Sequence, residues 1–143
     1  MANKILLEII TPDRVVVSEE VDIVTAPGVA GEFGVLANHV PMVAAVKIGP
    51  LFYRKDGKEE WVAISGGFCE VSKNKITFLV EAAERAWEID VERALRAKER
   101  AEKRLQQYAA QAEKIDYARA RAALQRALTR LLVAERGKAG TPR

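Results

Sequence analysis

The chain has 143 residues, of which 49% are hydrophobic and 30% charged, and it carries a formal net charge of +3. This length is enough for one domain, or for a small domain with an appendage, that buries a core without metals or disulfides. The single cysteine, Cys69, cannot form an internal disulfide, residues 1–14 lack a signal-peptide pattern, and no apolar run approaches the roughly 20 residues that span a bilayer. We therefore expect a soluble protein that acts in a reducing compartment.

Residues 1–86 have the pattern of short β-strands separated by turn residues. Predicted strands span residues 4–10, 14–18, 21–26, 42–48, 51–54, 60–64, 68–71 and 75–79. Asp56-Gly57 predicts a tight hairpin turn because this pair suits positive φ angles, whereas the glycine-rich residues 27–41 predict a loop. Cys69 is expected to be a small apolar side chain in a strand. Many short strands at regular spacing indicate a β-sandwich, or flattened barrel, of short antiparallel strands.

Residues 89–136 contain neither glycine nor proline, the residues that most reliably break a helix. Apolar residues recur three or four apart in two series, and the stripe loses register between them, where Asp116 offers an N-cap for a second helix. We predict two amphipathic helices that form an antiparallel hairpin and, together with the sandwich, an α+β fold. The two predicted stripes are Val91, Ala94, Leu95, Ala101 and Leu105, and then Tyr117, Ala120, Leu124, Ala127, Leu128 and Leu131.

The predicted domain boundaries follow the change in composition. Seven of the nine glycines and four of the five prolines precede residue 68. We therefore predict a β-sandwich domain in residues 1–86, a helical arm in residues 87–136 and a frayed tail in residues 137–143. The alanine-rich stripes bury modest apolar area, so the folded hairpin is expected to be only marginally favoured.

The net charge is divided unevenly between the two parts of the chain. Residues 1–88 hold nine Lys/Arg and thirteen Asp/Glu, whereas residues 89–143 hold fourteen Lys/Arg, ten of them arginine, and seven Asp/Glu. A mildly acidic body with a basic arm suggests that the arm meets an acidic partner, either a protein, a nucleotide or a nucleic acid. The alternative is a solvated helix surface that carries salt bridges.

The sequence offers no recognisable catalytic constellation. The one histidine, His39, cannot supply a multi-histidine metal site, and no nucleophile elbow, Walker A sequence or CxxC pair is present. We predict no catalytic residue and no metal site, and hence a binding or coupling role rather than an enzyme.

One group of residues suggests a ligand. Asp90 is placed to cap the first helix, and Arg93 follows it within the first turn. Arg126 and Arg130 lie four apart on the second helix, so both guanidinium groups project from one face. Two arginines next to a carboxylate and a third arginine could hold a polyphosphate, although the cap and surface arginines alone would explain the same pattern.

Along nearly its whole length the chain resembles the epsilon subunits of bacterial F-type ATP synthases. The pattern G-E-x-G-[IV]-x-x-x-H-x-P occurs at residues 31–41, and S-G-G-F-x-E-V occurs at residues 65–71. The order and spacing of two separate motifs, followed by the arginine-rich hairpin, make the match specific. Ala37-Asn38 departs from the Pro-Gly that such subunits often carry, which affects the expected turn type only.

The resemblance implies a noncatalytic subunit of the central stalk, or rotor, that couples ring rotation to ATP synthesis. The implied partners are the gamma subunit, the c-ring and the alpha and beta subunits. Extension of the arm into the catalytic head would inhibit hydrolysis, and the subunit would be peripheral, on the cytoplasmic side of the cell inner membrane. The implied contact residues are Glu32 and Phe33 for the c-ring, His39 and Pro41 for gamma, and Arg100, Arg104, Arg119 and Arg121 for beta.

Some subunits of this kind bind ATP, which holds the hairpin folded. Their pattern, I/L-D-x-x-R-A with two arginines on the second helix, implies an ATP site here, with ATP as a possible regulatory ligand and no required cofactor. The residues concerned are Glu84, Asp90, Arg93, Ala94, Arg126 and Arg130. The alternatives are a free-standing nucleotide sensor and a nucleic-acid-binding module. Whether the coupled ion is a proton or sodium stays open.

Overall fold

The computed structural model describes residues 3–111 and 114–140, without the side chains of residues 108–111, 114–116, 139 and 140. Ten strands precede a 3-10 turn and two helices, which confirms the predicted α+β fold. The strands are β1 Ile5–Ile10, β2 Val15–Val21, β3 Ile23–Gly28, β4 Gly31–Leu36, β5 Met42–Val46, β6 Gly49–Lys55, β7 Lys58–Ile64, β8 Gly67–Ser72, β9 Lys75–Val80 and β10 Ala83–Arg85. The 3-10 turn is Ala86–Glu88, and the helices are α1 Val91–Gln111 and α2 Lys114–Gly140.

All ten strands belong to one folded sheet in the order β10-β7-β6-β3-β5-β8-β9-β1-β2, with β4 paired to β3. The ends of the sheet approach each other, because Arg85 Nε in β10 donates to the Val16 carbonyl in β2 at 3.2 Å. This nearly closes a flattened barrel. The prediction of antiparallel strands is wrong for one pair, since β1 and β9 run parallel.

The sandwich interior is filled by alternate residues of its strands. Inward positions of β1 and β9 are fully buried, while the intervening residues are more exposed, as the period of a strand requires. Cys69 is buried in β8, as predicted, and burial raises the pKa of its thiol. The largest fully buried side chains are Tyr53, Phe78, Ile5, Leu7, Ile9, Leu51, Ile64 and Ile76.

The predicted turn at Asp56-Gly57 is confirmed, whereas the predicted loop in residues 27–41 is wrong in part. Asp56 and Gly57 have φ angles of 52° and 81°, which confirms the tight β6–β7 turn. Residues 27–41 are not a loop throughout, because β4 lies inside them and pairs with β3. Gly31 and Gly34 give β4 a weak strand signal, although β4 forms a hairpin with β3 across the two-residue turn Val29-Ala30. The sequence pattern does not predict β10 either, since this strand is short and polar.

The structure corrects the prediction at the ends of α2. Its first described residue is Lys114, so Asp116 lies within the helix and is not its N-cap. The helix continues to Gly140, so residues 137–140 of the predicted tail are helical, while residues 141–143 lie outside the described range.

The predicted apolar stripes are buried only in part. Ala94, Ala101, Ala120 and Ala127 are buried, but Leu95, Tyr117 and Leu128 are exposed. The physical reason is that α2 has two neighbours: it packs on α1 and also on β6, β7 and the 3-10 turn. Its second face buries Thr129, Val133 and Ala134, which the stripe did not include.

Candidate functional site

A cleft of about 410 Å³ opens where the start of α1, the later part of α2 and the β10 segment meet. This volume lies within the range of small-molecule sites in proteins. Its presence also establishes that the helices are antiparallel, because Arg130 late in α2 lines the same cleft as Asp90 at the start of α1. The lining residues are Ala82, Glu84, Glu88, Asp90, Arg93, Ala94, Ala97, Arg100 and Arg130.

Three arginines line this cleft. Arg93 and Arg100 are seven residues apart, which is two helical turns, so they lie on one face of α1. Arg130 reaches the cleft from α2, and small side chains at Ala94 and Ala97 leave room between the helices. A planar guanidinium group can donate two parallel hydrogen bonds to one phosphate group. The arginines therefore give the cleft the chemistry of a polyphosphate site.

Each of the three carboxylates in the cleft has a partner within the protein. Glu84 pairs with Arg130 through the Nε–H. Glu88 pairs with Arg14 at 2.8 Å and accepts the backbone N–H of Arg85 at 3.0 Å. Internal pairing of these carboxylates reduces their repulsion of an anionic ligand.

Asp90 caps α1, as its position in the sequence predicts. Its side chain accepts the backbone N–H of Arg93 at 3.1 Å, and its carbonyl accepts the N–H of Ala94 at 3.0 Å. The cap therefore orders the first turn of α1, which contains the cleft residues Arg93 and Ala94.

Arg126 lies beside the cleft rather than in it. It lines a second pocket of about 10 Å³, room for roughly one water molecule, together with Glu84 and Arg130. The structure therefore brings Glu84, Asp90, Arg93, Ala94 and Arg130 together and leaves Arg126 one pocket away. The family resemblance implies a beta-subunit contact for Arg100 and does not predict its place in the cleft, although its spacing from Arg93 is consistent with that place.

A polar network holds the β10 segment, and so one wall of the cleft, on the sandwich. The Tyr53 hydroxyl donates a hydrogen bond to a Glu19 carboxylate oxygen at 2.6 Å. The Arg85 guanidinium donates a hydrogen bond to the same tyrosine oxygen at 3.3 Å. Burial, followed by the hydrogen bond to Glu19, raises the pKa of Tyr53. Burial also favours the neutral form of Glu19, but the Tyr53 hydrogen bond and the charges of Arg85 and Lys55 outweigh it and lower the pKa of Glu19.

The residues expected to contact other subunits lie elsewhere on the sandwich. Glu32 is exposed in β4, while the neighbouring Phe33 is half-buried and packs against the core. His39 is half-buried and its Nδ1–H donates to the Val40 carbonyl at 2.7 Å, whereas Pro41 is exposed. Of these residues, Glu32 and Pro41 present the most accessible surface.

The remaining predicted contact residues, Arg104, Arg119 and Arg121, are all exposed on the arm. Among residues 3–111 and 114–140, no group of three or more His, Cys, Asp or Glu side chains is arranged to hold a metal ion. Within the same part of the chain, no helix has the length and apolarity needed to cross a membrane.

One outer face of the sheet exposes large apolar side chains. Phe68 in β8 lies directly opposite Leu79 in β9, and these side chains are 61% and 57% exposed. Val43 in the adjacent strand β5 is 72% exposed. A cluster of apolar groups on neighbouring strands is typical of a surface that a protein partner covers.

Comparison with known proteins divides the chain into the same two parts as its architecture. Residues 4–86 match the family described as ATP synthase, delta/epsilon chain, beta-sandwich domain, and residues 87–135 match its long alpha-helix domain. The ATP synthase epsilon chain of Nitratidesulfovibrio vulgaris (strain DP4) is 56% identical over 133 residues, covering 93% of this chain and 97% of the relative. That of Syntrophobacter fumaroxidans is 53% identical over 136 residues, covering 95% and 99%.

A solved structure has a similar fold. A chain in the cryo-EM structure of the Euglena gracilis mitochondrial ATP synthase, OSCP/F1/c-ring, superposes with a TM-score of 0.73 at 28% identity. The match covers 85% of this chain and 76% of that chain.

Proposed function

This chain belongs to the delta/epsilon chain family of ATP synthases, and we propose that it is a noncatalytic central-stalk subunit whose helical arm inhibits ATP hydrolysis. The observation that carries the proposal is the separation of a complete β-sandwich from a basic two-helix arm that docks on it mainly through α2. The sandwich can stay bound to the stalk while the arm moves. In the open position the basic arm would meet acidic segments of the beta subunits.

Removal of the arm tests this role. Deleting residues 89–143 should raise the ATPase activity of the assembled head and leave assembly intact, because the sandwich retains its own core. A full-length variant with Arg104→Glu, Arg119→Glu and Arg121→Glu should also relieve inhibition, since all three arginines are exposed on the arm. The control reverses two exposed lysines of the sandwich, Lys58 and Lys73, to glutamate. Unchanged activity in both arm variants would exclude the inhibitory role.

For the sandwich, we propose contacts with the c-ring and the gamma subunit. Glu32 is exposed at the edge of β4 and suits the polar tips of c subunits, while the His39–Pro41 segment would face gamma. The apolar face around Val43, Phe68 and Leu79 offers gamma a larger contact. The subunit would then be peripheral to the membrane, on the cytoplasmic side, through these partners. Phe68→Ser should weaken assembly with gamma, whereas Val15→Ser, also exposed but in β2, should not.

For the cleft, we propose that it binds ATP as a regulatory ligand. Arg93 and Arg100 from α1 and Arg130 from α2 would bind the phosphates. The sandwich also contributes to the cleft, through Glu84 of β10. A ligand that contacts α1, α2 and β10 together would bind only the closed arm. At a ligand concentration of 100 Kd, binding would stabilise the closed form by about 2.7 kcal/mol. ATP would therefore keep the arm closed and hydrolysis permitted.

Calorimetry with ATP on the full chain tests the site directly. Arg93→Ala, Arg130→Ala and Asp90→Ala should each weaken binding, and Arg126→Ala should weaken it less because Arg126 lies outside the main cleft. The matched control is Arg96→Ala, which removes an exposed arginine of α1 that does not line the cleft. Absence of a binding heat in the parent chain would exclude the ATP proposal while leaving the stalk role untouched.

A further inference from the structure

The last turns of α2 are seated on the sandwich by contacts outside the nucleotide cleft. Gly137 lies so close to the 3-10 turn that a Cβ atom added to it would come within 2.3 Å of the Ala86 Cβ. One residue earlier, the Arg136 guanidinium carbon is 5.7 Å from the centroid of the Trp61 ring in β7. This distance is within the range of a cation–π contact.

The sandwich side of this contact is held in place by its own neighbours. The Trp61 ring stacks on Phe52 with centroids 4.4 Å apart, and its Nε1–H donates to Glu59 at 2.8 Å. Arg136 therefore meets a ring whose orientation is already set. Val133 and Ala134, just before it, are buried, so α2 is closely packed in the turn that leads to Arg136.

We call the contacts of Gly137 with Ala86 and of Arg136 with Trp61 the seat of α2. The seat also determines where the arginines of α2 lie. Arg130 precedes Gly137 by seven residues, or two turns, so the two project from nearly the same face of the helix. A close approach at Gly137 brings Arg130 to Glu84 and places Arg126 in the adjoining pocket. A shift of the helix end away from Ala86 would move both arginines away from β10.

We propose that Gly137 and Arg136 are positioning residues that seat α2 on the sandwich and so set both the closed-arm population and the strength of ligand binding in the cleft. Glycine is a poor helix former, so its presence inside α2 is explained by the close approach to Ala86. The part of the proposal that concerns the ligand rests on the proposed ATP site. The part that concerns closure does not.

A double-mutant cycle tests the seat. Gly137→Ala inserts the clashing methyl group, and Ala86→Gly removes the atom that it would meet. We expect Gly137→Ala to weaken ATP binding about tenfold by lowering the fraction of binding-competent closed arm, and the double variant to return near the parent value. Circular dichroism should show equal or greater helicity in Gly137→Ala, which distinguishes undocking from helix loss.

Arm position is measured independently of ATP by the distance between spin labels on cysteines introduced at the exposed positions Lys58 and Gln125, in a Cys69→Ser background. Gly137→Ala should populate a longer distance, and Ala86→Gly in the same chain should restore the parent distance. Arg136→Lys, which keeps the charge but loses the planar group, should give a smaller shift in the same direction. An unchanged distance in Gly137→Ala, or no rescue by Ala86→Gly, would refute the seat. A parent chain that binds no ATP would refute the ligand site, and the label distances would still decide whether the seat exists.

Discussion

Arg130 in α2 donates its Nε–H to a carboxylate oxygen of Glu84 in β10, and this ion pair joins the arm directly to the sandwich. Both side chains are about one-third exposed, at 31% and 33%. Because each partner also lines the cleft, the pair links closure of the arm to the site where we propose that the nucleotide binds.

This link predicts a measurable coupling between the two residues. Glu84→Gln, Arg130→Gln and the double variant should give a coupling free energy of about 0.5 to 1 kcal/mol for arm closure, the upper part of the range for partly exposed pairs. The closed fraction follows from the spin-label distances. Glu8→Gln with Lys75→Gln, which breaks a 2.9 Å pair on the sandwich, serves as the control and should leave the arm unchanged. Additive effects of Glu84→Gln and Arg130→Gln would contradict a direct link.

The cap of α1 predicts a difference between two substitutions at Asp90. Asp90→Ala removes the acceptor of the Arg93 N–H and should cost the start of the helix about 1 kcal/mol. Asp90→Asn keeps an oxygen acceptor and should cost less. Hydrogen exchange of the Arg93 amide measures the cap directly. Equal exchange in both variants would show that the side chain does not cap the helix.

The Tyr53–Glu19 network predicts an alkaline dependence of stability. Burial, and then the hydrogen bond to Glu19, raises the pKa of Tyr53 above its ordinary value of 10.0. The folded state therefore keeps the proton at a pH where the unfolded chain releases it, and this contribution to stability is present below pH 10 and lost as the pH rises.

Tyr53→Phe removes both the hydrogen bond and this dependence. We expect a loss of about 1 to 2 kcal/mol in the free energy of unfolding at pH 7, because the lost bond is made to a charged group. Urea unfolding at neutral pH and at about pH 11, just above the ordinary tyrosine range, should show a smaller penalty in the second condition. A constant penalty at both pH values would contradict the assigned pKa shift.

Two glycines of the sandwich should respond very differently to alanine. A Cβ at Gly67 would lie 2.1 Å from the Leu79 carbonyl oxygen and 2.9 Å from the Val80 Cα, so β8 and β9 would have to separate. Gly67→Ala should lower the free energy of unfolding by about 3 kcal/mol or more. At Gly34 the nearest atom is 3.8 Å away, and Gly34→Ala should change stability by no more than about 0.5 kcal/mol. Urea midpoints of the two variants compare them directly.

The sequence by itself determined the features that depend on neighbouring residues. Asp56-Gly57 specifies its turn because its backbone angles are a local property, and Asp90 specifies the start of α1 because the cap reaches only three residues ahead. The stretch without glycine or proline was sufficient to predict two helices, and the spaced motifs around Glu32 and Gly67 were sufficient to indicate the family.

Tertiary structure alone decided the features that depend on distant partners. β1 pairs in parallel with β9, and the second buried face of α2 exists because β6 and β7 lie beneath it. The close approach of Gly137 to the 3-10 turn has the same reason, because Ala86 is far from Gly137 in the sequence. Periodicity records which side chains are apolar, but the surface that covers them is set by chain segments far away in the sequence.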